Sequence, residues 1–155
     1  MNEAFMREAI QLSVEKMEAG EGGPFGAVIV QGDKIVGRGW NRVTSAMDPT
    51  AHAEVMAIRE ACKKLDTFDL TGCEIYSSCE PCPMCLSAIY WARINKLYFA
   101  ADRTDAAAAG FDDEHLYCEI SKPWKNRELP AEQLLTEEAR KAFESWKTKS
   151  DRIKY

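Results

Sequence analysis

The sequence predicts an α/β layered domain with a mixed sheet, and three patterns carry that expectation. A hairpin-like pair of apolar runs over 25–43 opens the sheet, a strand–helix–strand run over 73–101 continues it in parallel, and amphipathic helical stretches accompany both. The chain has 155 residues, 46% hydrophobic and 29% charged, a balance that suits one globular domain with a sizeable core. Residues 1–155 are therefore read as a single domain without internal repeats or a linker.

In chain order, Phe5, Met6, Ala9, Ile10, Ser13 and Met17 recur at helical spacing and predict a helix over 2–18, stopped by Gly20, Gly22, Gly23 and Pro24. The runs 25–30 and 35–43 read as antiparallel strands joined by the turn residues 31–34. Asp48 and Pro49 read as cap and first residue of a helix to about Leu65, with Val55, Ile58, Cys62 and Leu65 as its apolar face. A strand is expected over 73–78, a helix from Pro81 to Trp91 and a strand over 96–101. Thr104 to Gly110 has the acidic start and glycine stop of a short helix. The pattern weakens over 118–135, and Thr136 to Thr148 reads as a terminal helix docked by Phe143 and Trp146.

A net charge of −5 argues against a surface built to hold a polyanion, so no nucleic-acid partner is expected and the basic residues near the end, such as Lys147 and Arg152, read as a solvated helix face. Glu3, Arg7 and Glu8 stand where a secretory signal needs an apolar run, and no stretch is long enough to span a bilayer. A cytoplasmic location is expected. Of the six cysteines, Cys62, Cys73, Cys79 and Cys118 read as small buried hydrophobes and not as disulfide partners. Cys82 and Cys85 read as metal ligands, and His115 as a solvated histidine.

Chemistry concentrates in His52-Ala53-Glu54 and Pro81-Cys82-Pro83-Met84-Cys85. Either half alone is weak, because Cys-x-x-Cys also serves redox and structural zinc sites. Together, in this order, they form the signature of zinc-dependent nucleobase deaminases. One histidine and two thiolates leave the fourth position of a tetrahedral Zn²⁺ to water or hydroxide, which is the catalytic arrangement and not the closed structural one. Glu54 is the expected general acid/base, taking a proton from the water and returning it to a ring nitrogen and then to the departing amine. Cys79, Cys82 and Cys85 also fit part of an iron–sulfur run, but the next cysteine would fall at Ile89.

On these motifs, with residues 22–30, Asn41, residues 48–55, 78–85, 89–93 and 104–113 and the terminal Tyr155, the chain resembles the cytidine and deoxycytidylate deaminase superfamily. Within it, the stretch GFDD, the stretch IYWAR and a terminal tyrosine resemble the small bacterial guanine deaminases. The resemblance implies a three-layer αβα fold of the cytidine-deaminase type and a homodimer that exchanges its carboxy-terminal segment. It also implies a hydrolase acting on the C–N bonds of cyclic amidines, converting guanine to xanthine and ammonia with one Zn²⁺ per chain. By residue match, His52, Cys82 and Cys85 hold the metal, and Glu54 and Asp113 carry protons. Asn41 and Asp113 hydrogen-bond the base, Phe25 and Trp91 line the pocket, and Tyr155 closes it. Two alternatives stay open: deamination of tRNA adenosine or of another base or nucleoside such as cytosine or guanosine, and a non-catalytic zinc-stabilised interaction module.

Overall fold

The structure is a computed structural model that describes residues 2–154. The chain divides into two compact units, residues 1–113 and 114–155. The first unit holds helix α1 (Glu3–Glu18), strands β1 (Gly26–Gln31) and β2 (Lys34–Trp40), helices α2 (Val43–Ala46) and α3 (Ala53–Leu65), strand β3 (Cys73–Cys79), helix α4 (Pro83–Trp91), strand β4 (Lys96–Ala101) and helix α5 (Arg103–Ala108). The sheet order is β2-β1-β3-β4; β1 runs antiparallel to both neighbours and β3 runs parallel to β4. The mixed sheet and its helices match the αβα architecture expected from the sequence.

Strand alternation divides the core into two layers. Val28, Val30 and Tyr76 face α1, where Ala9 and Leu12 meet them. Ala27, Ile29, Cys73 and Ile75 point the other way, onto α3 and α4. Full burial of side chains such as Ile29, Ile75 and Leu70 contributes about 2 kcal/mol each.

Helix α3 departs from the sequence reading at both its start and its face. Asp48 does not cap it: its carboxylate accepts from the backbone N–H and the hydroxyl of Thr50, and holds a turn instead. The helix starts after His52, its N-cap in extended conformation. Its most buried residues are Ala53, Ala57 and Ala61, each 0% exposed, while Val55, Ile58, Cys62 and Leu65 are only half-buried. The cause lies across the interface. A Cβ on Gly39 would stand 2.0 Å from the Ala53 carbonyl oxygen, and one on Gly37 2.4 Å from that of Ala57. Glycines on β2 and alanines on α3 let the two backbones touch, so small residues make this seam and the larger side chains flank it.

Three smaller readings also change. Strand β2 stops at Trp40, three residues before the expected end, because Asn41 turns the chain into α2 by accepting from the Val43 N–H. Cys118 is exposed, unlike Cys73 and Cys79. Residues 118–121, at the start of the stretch where the pattern weakens, close a helix that spans Glu114–Ser121.

The second unit contains α6 (Glu114–Ser121), a 3₁₀ turn (Trp124–Asn126) and α7 (Thr136–Thr148). Arg127 ties the turn to α6 by donating to the carbonyls of Ile120 and Lys122, and its guanidinium lies 4.1 Å from the Trp124 ring centre. None of its described residues is buried, and Phe143 and Trp146, expected to dock the terminal helix, are 68% and 40% exposed.

Gly39→Ala is expected to cost about 3 kcal/mol, as overpacking of a seam with no space does. Denaturant unfolding checks this; unchanged stability would mean that the contact between α3 and β2 is looser than described.

Candidate active site

Two helix starts build the site. His52 sits just before α3 with φ −74° and ψ 156°, so its imidazole leaves the helix axis, and Glu54 follows in the first turn. Cys82 is the N-cap of α4 (φ −63°, ψ 168°), Pro83 supplies a first-turn residue that needs no N–H partner, and Cys85 lies one turn in. Because α3 and α4 pack on the same sheet face, both starts converge. His52 Nδ1 stands 3.6 Å from Cys82 Sγ and 3.5 Å from Cys85 Sγ. A tetrahedral Zn²⁺ bonded to sulfur at about 2.3 Å and to nitrogen at about 2.1 Å separates such ligand atoms by about 3.6 Å. The spacing fits zinc, and so does the chemistry of one imidazole with two thiols.

The same three residues interact strongly without an ion. The Cys85 thiol, the His52 ring and a backbone N–H hold Cys82 down at about 4, against the cost of its burial. Cys85 is pushed far up by donating to Cys82 and by burial. The hydrogen bond to Cys82 raises His52. The three donors thus form a thiolate, thiol and imidazole cluster at the positive ends of two helices. Cys79 stands apart. Its Sγ lies 3.6 Å from the Asp102 carbonyl, to which it donates, and burial lifts its thiol to about 11.

Glu54 is 6% exposed, and burial pushes its carboxyl above the ordinary range. Its own backbone N–H, the Cys85 thiol and the Ser77 hydroxyl work against that shift; the Ser77 bond measures 3.0 Å.

A cavity of about 410 Å³ opens beside these groups and is lined by Phe25, Asn41, His52, Glu54, Cys82 and Asp113, among others. That volume is in the range of small-molecule sites. Asn41 is 8% exposed, and its Oδ1 accepts from the N–H groups of Gly23 and Val43, both at 3.2 Å, which leaves the amide nitrogen as the group available to a ligand. Asp113 is raised by burial and then by the Cys82 charge.

Trp91 does not join this cavity. It is 66% exposed at the last residue of α4, roughly 13 Å of helix rise from Cys82. Tyr155 lies outside the described residues. Sequence reasoning passed over Phe111, whose ring meets Phe25 edge-on with centres 4.9 Å apart and an interplanar angle of 87°. It lies within the stretch GFDD and was legible there as an aromatic before two acids. Sequence reasoning also passed over Ser77, which carries no local motif.

Held near 4, Cys82 stays a thiolate throughout the mildly acidic range, so metal-free protein is expected to be alkylated at Cys82 by iodoacetamide at nearly the same rate from pH 8 to pH 6. An ordinary thiol loses about tenfold per pH unit below its pKa. Peptide mapping checks this; a steep fall toward pH 6 would show that Cys82 titrates as an ordinary thiol.

Comparisons with known proteins give the family. The family model for the cytidine and deoxycytidylate deaminase zinc-binding region matches residues 1–101. The guanine deaminase of Bacillus subtilis (strain 168) is 50% identical over 154 residues, 99% of each chain. A tRNA-specific adenosine deaminase of Aquifex aeolicus (strain VF5) is 44% identical over 99 residues, 64% of this chain and 65% of that one. Among solved structures, guanine deaminase from Bacillus subtilis aligns with a TM-score of 0.97 at 51% identity, covering 100% of this chain and 99% of that one. Guanine deaminase from Nitrosomonas europaea aligns with a TM-score of 0.69 at 37% identity, covering 73% and 65%. The chain belongs to the cytidine and deoxycytidylate deaminase family.

Proposed function

We propose that this chain is a guanine deaminase, hydrolysing guanine to xanthine and ammonia. The observation that carries the reading is how much of the chain each likeness covers. The match to the tRNA-specific enzyme covers 64% of the chain, whereas the match to a guanine deaminase covers 99% and so takes in the second unit as well. A net charge of −5 also suits a free base better than a tRNA.

His52, Cys82 and Cys85 would hold one Zn²⁺ per chain, with water as its fourth ligand. The ion supplies the Lewis acidity that makes water a nucleophile near neutral pH. Glu54 takes a proton from the attacking water and delivers it to a ring nitrogen. The water oxygen first bonds to C2 while that proton goes to the ring nitrogen. The proton left on the new C2 hydroxyl then passes through Glu54 to the amine, and the C2–N bond breaks as the C2 carbonyl forms, releasing ammonia. Burial at the start of α3 keeps the Glu54 proton affinity high enough to give the proton back. The Asn41 amide nitrogen donates to the acceptor edge of the base, Phe25 and Phe111 provide apolar walls, and Asp113 accepts from the N–H groups of the base or carries a second proton. Tyr155 closes the pocket from a second copy of the chain.

Residues 1–155 act as one functional domain in a homodimer that exchanges the carboxy-terminal segment. Support comes from the second unit, whose described residues include none that is buried although Leu134, Leu135 and Phe143 are each at least 68% exposed. Large apolar side chains exposed together in this way are normally covered. A cytoplasmic location follows from the free base as substrate; no helix among the described residues is long and apolar enough to cross a membrane.

Zinc-loaded protein is expected to release ammonia from guanine and not from adenine, cytosine, guanosine or tRNA adenosine. No turnover of guanine, or faster turnover of tRNA, would replace this reading. Glu54→Gln is expected to keep zinc and fold while kcat falls at least about 100-fold; an unchanged kcat would remove Glu54 from proton transfer.

A further inference from the structure

Ser77 is the polar exception on an apolar strand face. In β3, Cys73, Ile75, Ser77 and Cys79 alternate onto the side that packs against α3 and α4, and Cys73 and Ile75 belong to the core cluster there. Ser77 is 2% exposed and pairs with Ala27 and Phe99 on the neighbouring strands. Nothing in its strand neighbours calls for a hydroxyl, and a buried hydroxyl is costly unless it is hydrogen-bonded. Its Oγ donates to Glu54 Oε1 at 3.0 Å. Ser77 is absent from the cavity lining, whereas Glu54 is part of it.

We propose that Ser77 is a positioning residue for the reaction: it pins Oε1 of Glu54 from beneath and leaves Oε2 as the oxygen that carries the proton. This rests on the guanine deaminase reading. The terminal torsion of a glutamate is soft, so a carboxylate held only by its stem swings between orientations. Glu54 has its stem fixed by the first turn of α3, and that turn is fixed by the contact with β2. Ser77 adds a second anchor from another strand, so the carboxylate is held between two elements of the rigid core. The hydroxyl supplies a single donor, which engages one oxygen and distinguishes it from the other. Ser78, the next residue, has a different task on the opposite face, accepting from the Gly26 N–H.

The test compares wild type, Ser77→Ala and Ser77→Thr as full-length zinc-loaded proteins. For Ser77→Ala we expect wild-type zinc content and cooperative unfolding, a KM for guanine within about twofold, and a kcat lower by about tenfold or more, as misplacement of a catalytic group produces. Ser77→Thr keeps the hydroxyl and regains most of the rate. A wild-type kcat in Ser77→Ala, or a loss confined to KM or zinc content, overturns the proposal. A second readout needs no substrate. The carboxylate infrared band of Glu54, isolated by subtracting the spectrum of Glu54→Gln in each background, shifts in Ser77→Ala and returns in Ser77→Thr. If wild type fails to turn over guanine, the functional reading falls, and an unmoved band by itself overturns the role of Ser77.

Discussion

The contact between α3 and β2 sets where the chemistry happens. Gly37 and Gly39 leave no side chain between the strand and the carbonyls of Ala57 and Ala53, so the helix lies directly on the sheet. Fixing the helix fixes its first turn. His52 then projects off the end and Glu54 lies in the core layer, where burial raises its proton affinity and Ser77 reaches it from β3. A larger residue at either glycine moves both functional side chains together, although neither glycine touches the cavity.

Helix α4 completes the arrangement from the same sheet face. Its N-cap cysteine and the cysteine one turn inside present two sulfurs to His52 at distances suited to one tetrahedral ion. The positive ends of both helices face the thiolate of Cys82, and the same ends favour the carboxylate of Glu54. Three donors beside a buried acid suit an ion with one position left open, which a purely structural zinc site has no use for. The interaction-module alternative loses its footing on that ground, and the iron–sulfur alternative on another: the third partner of Cys82 and Cys85 is His52, while Cys79 bonds to a backbone carbonyl.

Much of this was legible in the sequence, for identifiable reasons. The clustering of His52, Cys82 and Cys85 and the burial of Glu54 beside them follow from local spacing at helix starts, which is a short-range property. Strand β4 and helix α7 have the bounds expected from their local patterns. The face of α3 was not readable. A hydrophobicity pattern points to the largest apolar side chains, Val55, Ile58 and Leu65, whereas the buried seam uses alanines that only the glycines of β2, earlier in the chain, make necessary. Asp48 and Pro49 looked like a helix start because a turn held by an Asp side chain uses the same residues. Ser77 and Phe111 escaped notice since their significance is a long-range contact, with Glu54 and with Phe25.

The later part of the chain adds to the cavity and carries exposed apolar surface. Phe111 and Asp113 line the cavity from beyond α5, and the helices of the second unit expose apolar residues that a dimer would cover. All of these features presuppose the convergence of α3 and α4 on one ion, which zinc-edge X-ray absorption on the loaded protein reports directly. Two sulfur ligands per zinc at about 2.3 Å, with the remaining ligands nitrogen or oxygen, is the expected result. Three or four sulfurs, which would recruit Cys79, or none, would contradict the account.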